Sequence, residues 1–304
     1  MYRHLAGDAQ ARRAGFGGNV HHEVEATASA VPDEPGSAEA SCRWLAEAHR
    51  VLDRIEQTQM GAIGESARLC ARAIGEGGLV HLFGTGHSRI PLEEMFPRYG
   101  SFPGFHPIAE LSMTFHTQIA GANGQRQAMF IERVEGLADQ ILINFDFGPS
   151  DVMMIFSAGG LSSVPVEMAM GSQRRGLPVI AVTSVAQSMA GTASHPTATR
   201  LLDHADLVID ICTPAGDALV TLEGVDTPIG PGSTIAYTAV VNEIKVQTAA
   251  LLAECNALPA VISSPAVVGE ERAEALFEAA YREHARRYAR TLAGSKDGHT
   301  NATS

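Results

Sequence analysis

From Trp44 to Ile74 apolar residues recur at helical spacing: Trp44, Leu45, Ala48, Val51, Leu52 and Ile55, then Ile63, Ala67 and Leu69. The spacing predicts two helices from about Ser37, or one helix bent near Gly61 and Gly64. The period then changes. Leu79–Phe83, Val152–Phe156, Pro178–Thr183 and Asp206–Ile211 are short, largely apolar runs bounded by Gly, Pro or Asp, the pattern of strands buried on both faces of a parallel sheet. Helical candidates lie between and after them: Ser88–Tyr99, with Leu92, Met95, Phe96 and Tyr99 as its apolar stripe, Gln127–Asn144, Ser163–Arg175, Ser233–Cys255 and Glu270–Leu292. Strand and helix in alternation predict an α/β fold with a doubly wound parallel sheet flanked by helices, an N-terminal helical segment, and a ligand site at the carboxyl ends of the strands. Residues 1–36, rich in Gly and Pro and without a sustained period, are expected to form a mobile arm; 37–293 form the domain and 294–304 a polar tail.

Composition narrows the partners. The chain has 304 residues, 45% of them hydrophobic, and a net charge of −12, which supplies no broad basic face for nucleic acid. A small anion remains compatible, because backbone N–H groups at a helix N-terminus bind phosphate without basic side chains. Cys42, Cys70, Cys212 and Cys255 are far apart, so neither a zinc knuckle nor a disulfide framework is expected, and a reducing cytoplasm fits. No apolar run reaches the about 20 residues that span a bilayer, and residues 1–35 lack the apolar core of a secretory signal. The chain is therefore expected to be cytoplasmic, with no membrane partner.

Two loops carry the candidate chemistry. The first, Gly84-Thr85-Gly86-His87-Ser88, leaves a predicted strand and opens a helix. Its glycines allow a tight turn and close approach of the backbone to an anion, and Ser88 is placed as a cap or a phosphate donor. Arg89 stands where a third glycine would complete a dinucleotide fingerprint, so NAD is discounted and no cofactor is expected. The second loop, Ser157-Ala158-Gly159-Gly160-Leu161-Ser162-Ser163, follows another strand and enters a helix with Pro165 in its first turn. Its hydroxyls converge at the positive end of a helix dipole. Gly84, Gly86, Ser88, Ser157, Gly159, Gly160, Ser162 and Ser163 are the candidate phosphate-binding residues.

In this order, G-T-G-H-S, D-V-M-M-I-F-S-A-G-G-L-S-S-V-P-V-E-M-A, G-L-P-V-I-A-V-T-S and H-A-D-L-V-I-D resemble the SIS (sugar isomerase) domain phosphosugar-binding family over roughly residues 38–260. Glu93-Glu94 after the first loop, and Pro165 and Glu167 after the second, resemble the UPF0309-type branch and actinobacterial N-acetylglucosamine-6-phosphate dehydratases. The resemblance implies a homodimer or homotetramer, a 6-phosphosugar ligand, and aldose–ketose isomerisation, amidotransferase-type chemistry, ether or water elimination, or sensing. Gly159 departs from the family pattern, which usually has serine there. Phosphate binding must then rest on Ser157, Ser162 and Ser163, or on the first loop.

Isomerisation and elimination both begin with loss of the C2 proton to a base, commonly a carboxylate. An acetamido group at C2 leaves no hydroxyl to become a ketone, so the intermediate expels its C3 substituent instead. The favoured expectation is a carbon–oxygen lyase, a dehydratase acting on an N-acetylhexosamine 6-phosphate; an aldose–ketose isomerase and a non-catalytic sensor are the alternatives. The resemblance, through the paired glutamates after the first loop, implies Glu94 as the first candidate base, although its helical position faces away from the apolar stripe. His87, inside the glycine loop, is a candidate acid. Glu132 and Glu223 are further acid–base candidates. His21 and His22 read as solvated, and His116, His195 and His204 as structural, so no metal site is expected.

Overall fold

The computed structural model describes residues 43–114 and 124–292. The predicted arm, the tail and His116 lie outside the described residues. Helices α1 (Arg43–Thr58) and α2 (Met60–Gly75) meet at Gln59, not at Gly61 or Gly64, which both lie inside α2. Ala48, Val51 and Ile55 of α1 and Ile63, Ala67, Cys70 and Ile74 of α2 are buried, whereas Leu45 is exposed.

The sheet contains β1 (Val80–Gly84), β2 (Phe105–Ile108), β3 (Val152–Phe156), β4 (Val179–Thr183) and β5 (Leu207–Asp210), all parallel, in the order β2-β1-β3-β4-β5. Every residue of β1, β3 and β4 is buried, which is why these segments read as largely apolar runs, with His81 in β1 and Thr183 in β4 as buried polar residues. Successive side chains enter opposite cores, as the period of two requires. Val152, Met154 and Phe156 pack with Ile63, Ile74, Tyr237, Val240 and Ile244; Met153 and Ile155 pack with Leu142, Val164, Met168 and Ala169. β2 was not predicted. It is a four-residue edge strand with Pro107 inside it, a residue that only an edge tolerates.

Between β1 and β2 the helix α3 covers only Ile90–Met95. The chain turns extended at Phe96, and Tyr99 is exposed rather than part of a core stripe. Likewise the single helix expected over Gln127–Asn144 is two, α4 (Gly124–Ile131) and α5 (Leu137–Leu142), parted where Gly136 adopts φ +79°. A side chain at that angle would be strained. Helix α6 (Ser163–Arg174) follows β3, and the short α7 (Val185–Ala190) follows β4. A small antiparallel pair, β6 (Ala218–Val220) and β7 (Ile229–Pro231), precedes α8 (Ser233–Glu254). The start of α8 is fixed by Asp217 rather than by a serine cap: its carboxylate accepts from Ser233 N and Ser233 Oγ, each at 2.7 Å. The chain continues through α9 (Pro265–Val268) to α10 (Glu270–Leu292). No helix among the described residues is long and apolar enough to cross a membrane.

Candidate active site

Because β1 is flanked by β2 on one side and β3 on the other, the connections leave the sheet in opposite directions there. A crevice at such a switch point, outside the carboxyl ends of the strands, is where doubly wound sheets bind ligands. A cleft of about 450 Å³ lies at this place, lined by Thr85–Ser88 after β1, by Ser157 and Gly159–Ser162 after β3, and by Glu132 and Gln187.

The first loop is a tight 3-10 turn over Gly86–Arg89, closed by Ser88 N donating to Thr85 O at 2.9 Å. Gly84 is obligatory for it, since a Cβ there would sit 2.3 Å from Ser88 O. In the second loop Ser157 Oγ accepts from Gly160 N at 3.1 Å, and Gly160 has φ +59°. That turn directs Ser162 to the cleft and starts α6, whose positive dipole end faces the same space. Ser163 and Gly84 are buried beneath the loops and do not line the cleft. His87 is exposed at its rim.

Glu132 joins the two loops. Its Oε2 accepts from Thr85 Oγ1 at 2.9 Å, and its Oε1 accepts from Ser162 Oγ at 3.0 Å. Its backbone carbonyl accepts from Val164 N at 2.9 Å, which fixes the segment after α4 against the start of α6. A half-buried carboxylate so held keeps a defined orientation and retains lone pairs for a further contact.

The other carboxylates named from the sequence stand elsewhere. Glu94 does not line the cleft: Arg98 Nη1 donates to its Oε2 at 2.7 Å, Asn242 Nδ2 to its Oε1 at 3.2 Å, and Lys245 Nζ to its backbone carbonyl at 2.9 Å. Burial lowers the Lys245 pKa, an effect that the charge of Glu94 opposes. Glu93 pairs with Arg89. Glu223 is exposed in the turn between β6 and β7, also outside the cleft. Glu167 accepts from Gly136 N at 2.8 Å and lies 3.5 Å from His195 Nε2; His195 Nδ1 continues through Thr197 and Thr199 to His204. Among the described residues no group of three His, Cys, Asp or Glu side chains is arranged to hold a metal. Thr85 and Gln187 line the cleft without having been singled out from sequence. Thr85 stood in view within the glycine loop, whereas nothing in the pattern marked Gln187.

A larger opening of about 690 Å³ lies at the amino ends of the strands, near Gly77, Asp151 and Arg287. Its polar side chains are engaged within the protein. Arg287 Nη1 donates to Ile74 O and Gly78 O, and Asp151 accepts from Leu79 N, Gly148 N and His81 Nε2. The smaller cleft is therefore the better candidate, because hydroxyls, a carboxylate and a helix dipole converge on it.

A family model described as the SIS domain matches residues 43–184. A UPF0309 protein of Caldanaerobacter subterraneus is 31% identical over 231 residues, covering 75% of this chain and 92% of that protein. A UPF0309 protein of Streptomyces coelicolor is 31% identical over 229 residues, covering 75% and 89%. Among solved structures, phosphoheptose isomerase GmhA from Neisseria gonorrhoeae superposes with a TM-score of 0.42 at 14% identity, covering 71% of this chain and 98% of that one. The sequence relatives and the family model, taken with the five-stranded parallel sheet, place this chain in the UPF0309 family of SIS-domain proteins.

Proposed function

We propose that this chain binds a 6-phosphosugar and acts as a carbon–oxygen lyase on an N-acetylhexosamine 6-phosphate, N-acetylglucosamine 6-phosphate foremost. The observation that carries this reading is Glu132, one carboxylate bridging two hydroxyl-bearing strand-end loops in one cleft. Ser88 and Ser157, with the start of α6, are the phosphate-binding set, while Ser162, whose hydroxyl proton goes to Glu132, orients the carboxylate. Glu132 is the base, chosen over Glu94 and Glu223 because it alone of the three lines the cleft.

In the open-chain sugar the C1 aldehyde acidifies C2. The C2–H bond breaks, its proton passes to Glu132, and the electron pair forms an enolate over C2, C1 and O1. As the enolate collapses, a C2–C3 double bond forms and the C3–O bond breaks. The leaving hydroxyl takes a proton, for which His87 at the rim is the donor, and departs as water. General acid–base groups of this kind each contribute about 10²–10⁴-fold. A homodimer or homotetramer in the cytoplasm is part of the same proposal, and sedimentation tests the assembly.

The test of the reaction is to incubate the protein with hexose and N-acetylhexosamine 6-phosphates and weigh the products. Loss of one water from the N-acetylhexosamine supports the lyase. A product of unchanged mass indicates an isomerase. Binding of every sugar phosphate with turnover of none indicates a sensor, and either of these outcomes overturns the lyase.

A further inference from the structure

Gln187 lies on the first turn of α7, where its N–H is held by the Ser184 cap at 3.2 Å. The second loop is tied to the same place, with Ser184 N and Thr183 Oγ1 donating to Ala158 O at 3.0 and 3.1 Å. The carboxamide of Gln187 is thereby set beside Gly159: a Cβ at Gly159 would lie 3.7 Å from Gln187 Nε2. The residue lines the cleft, yet its Oε1 is closed off from solvent without a hydrogen-bond donor. A buried carbonyl left unpaired destabilises the protein that contains it, and such groups are rare in native structures unless something outside the chain uses them.

We propose that Gln187 is a specificity-determining residue: its carboxamide hydrogen-bonds a hydroxyl or amide substituent on the sugar portion of the bound sugar phosphate, while the two loops take the phosphate. A carboxamide offers both a donor and an acceptor. It suits a neutral ring substituent of that dual character better than a phosphate, which at neutral pH mostly accepts. Gly159, with no side chain, leaves the space between Gln187 and Leu161 open for the substituent. This assignment rests on the phosphosugar reading given above.

The test uses the full chain and Gln187→Met, which keeps the length of the side chain and removes both polar ends. Binding of N-acetylglucosamine 6-phosphate and of inorganic phosphate is measured by calorimetry, together with Tm. The expected result is an affinity for the sugar phosphate weaker by about tenfold or more, with phosphate binding within about twofold of wild type. Tm should be no lower, because the lost Oε1 bonds nothing in the chain. Unchanged affinity for the sugar phosphate overturns the role of Gln187 and leaves the phosphosugar reading standing. Equal loss of both ligands with a lowered Tm marks a structural residue and also overturns it. A wild-type chain that binds phosphate but no sugar phosphate overturns both this role and the reading beneath it.

Discussion

Thr85 Oγ1 donates to Glu132 Oε2 over 2.9 Å, a hydrogen bond between residues 47 apart in the chain. It joins the turn after β1 to the segment after α4, and Ser162 brings the loop after β3 to the same carboxylate. The carboxylate is thus held in one orientation by two loops, and in the proposed reaction positioning of this kind is a large part of catalysis.

Glu132→Gln keeps the shape and one carbonyl acceptor but removes the base. Its kcat should fall by about 100-fold or more while affinity for the sugar phosphate changes little. Glu94→Gln, whose partners are Arg98, Asn242 and Lys245, should leave kcat within about threefold. The reverse order of effects would place the base at Glu94, in a site completed by another subunit.

Ser88→Ala and Ser157→Ala should each weaken binding of the sugar phosphate by about 1.5–3 kcal/mol, the range for a hydrogen bond to a charged group. Calorimetry checks this. Wild-type affinity in both variants would remove the phosphate from these loops.

Gly84→Ala should destabilise the protein by about 1–3 kcal/mol in urea melts, because the added methyl meets the Ser88 carbonyl. Gly61→Ala, with open space around it in α2, should instead stabilise by about 0.5 kcal/mol. An equal effect at the two positions would contradict the close approach in the first loop.

The strands that position this site were legible because burial on both faces leaves continuous apolar runs at Val152–Phe156 and Val179–Thr183. β2 was hidden by Pro107 and by His106, whose burial depends on contacts that no periodicity shows. The split of the Gln127–Asn144 helix turned on one backbone angle at Gly136, and an isolated glycine does not reveal whether it sits at positive φ. Glycine loops announce themselves by composition. The choice among Glu94, Glu132 and Glu223 does not, because it depends on which segments the tertiary fold brings to the strand ends. Gln187 carried no signal, since nothing in the sequence pattern shows that its Oε1 is buried without a donor.

Acid should destabilise the fold through the buried cluster at the amino ends of the strands. His106 Nδ1 and His81 Nδ1 are 2.8 Å apart, and His81 Nε2 is 3.1 Å from Asp151 Oδ2. Burial, then the charges of His81 and His284, lower the His106 pKa from 6.5 to about 3, with Asp151 opposing. Burial would raise the Asp151 pKa, but hydrogen bonds from His81, Gly148 N and Leu79 N outweigh it and hold it below 3.8. Below pH 6.5 the unfolded chain takes up a proton at His106 that the folded chain refuses. The His106 contribution is therefore complete above that pH and is lost as pH falls toward 3. Asp151 acts in the same direction below 3.8. Urea melts between pH 7 and 4 should show stability falling by up to about 1.4 kcal/mol per pH unit for each such proton, and His106→Phe should reduce the slope. A flat profile would contradict the neutral buried histidine.

The most direct measurement of the proposed chemistry follows the C2 hydrogen of N-acetylglucosamine 6-phosphate. Substrate carrying deuterium at C2 is incubated with the wild-type chain and with Glu132→Gln, and the product mass and rate are recorded. Proton abstraction by Glu132 followed by elimination requires that the wild-type product lack both the label and one water, that the labelled substrate react more slowly wherever C–H cleavage limits the rate, and that the variant form almost none. A product that keeps the deuterium, or one formed equally fast by the variant, would contradict it.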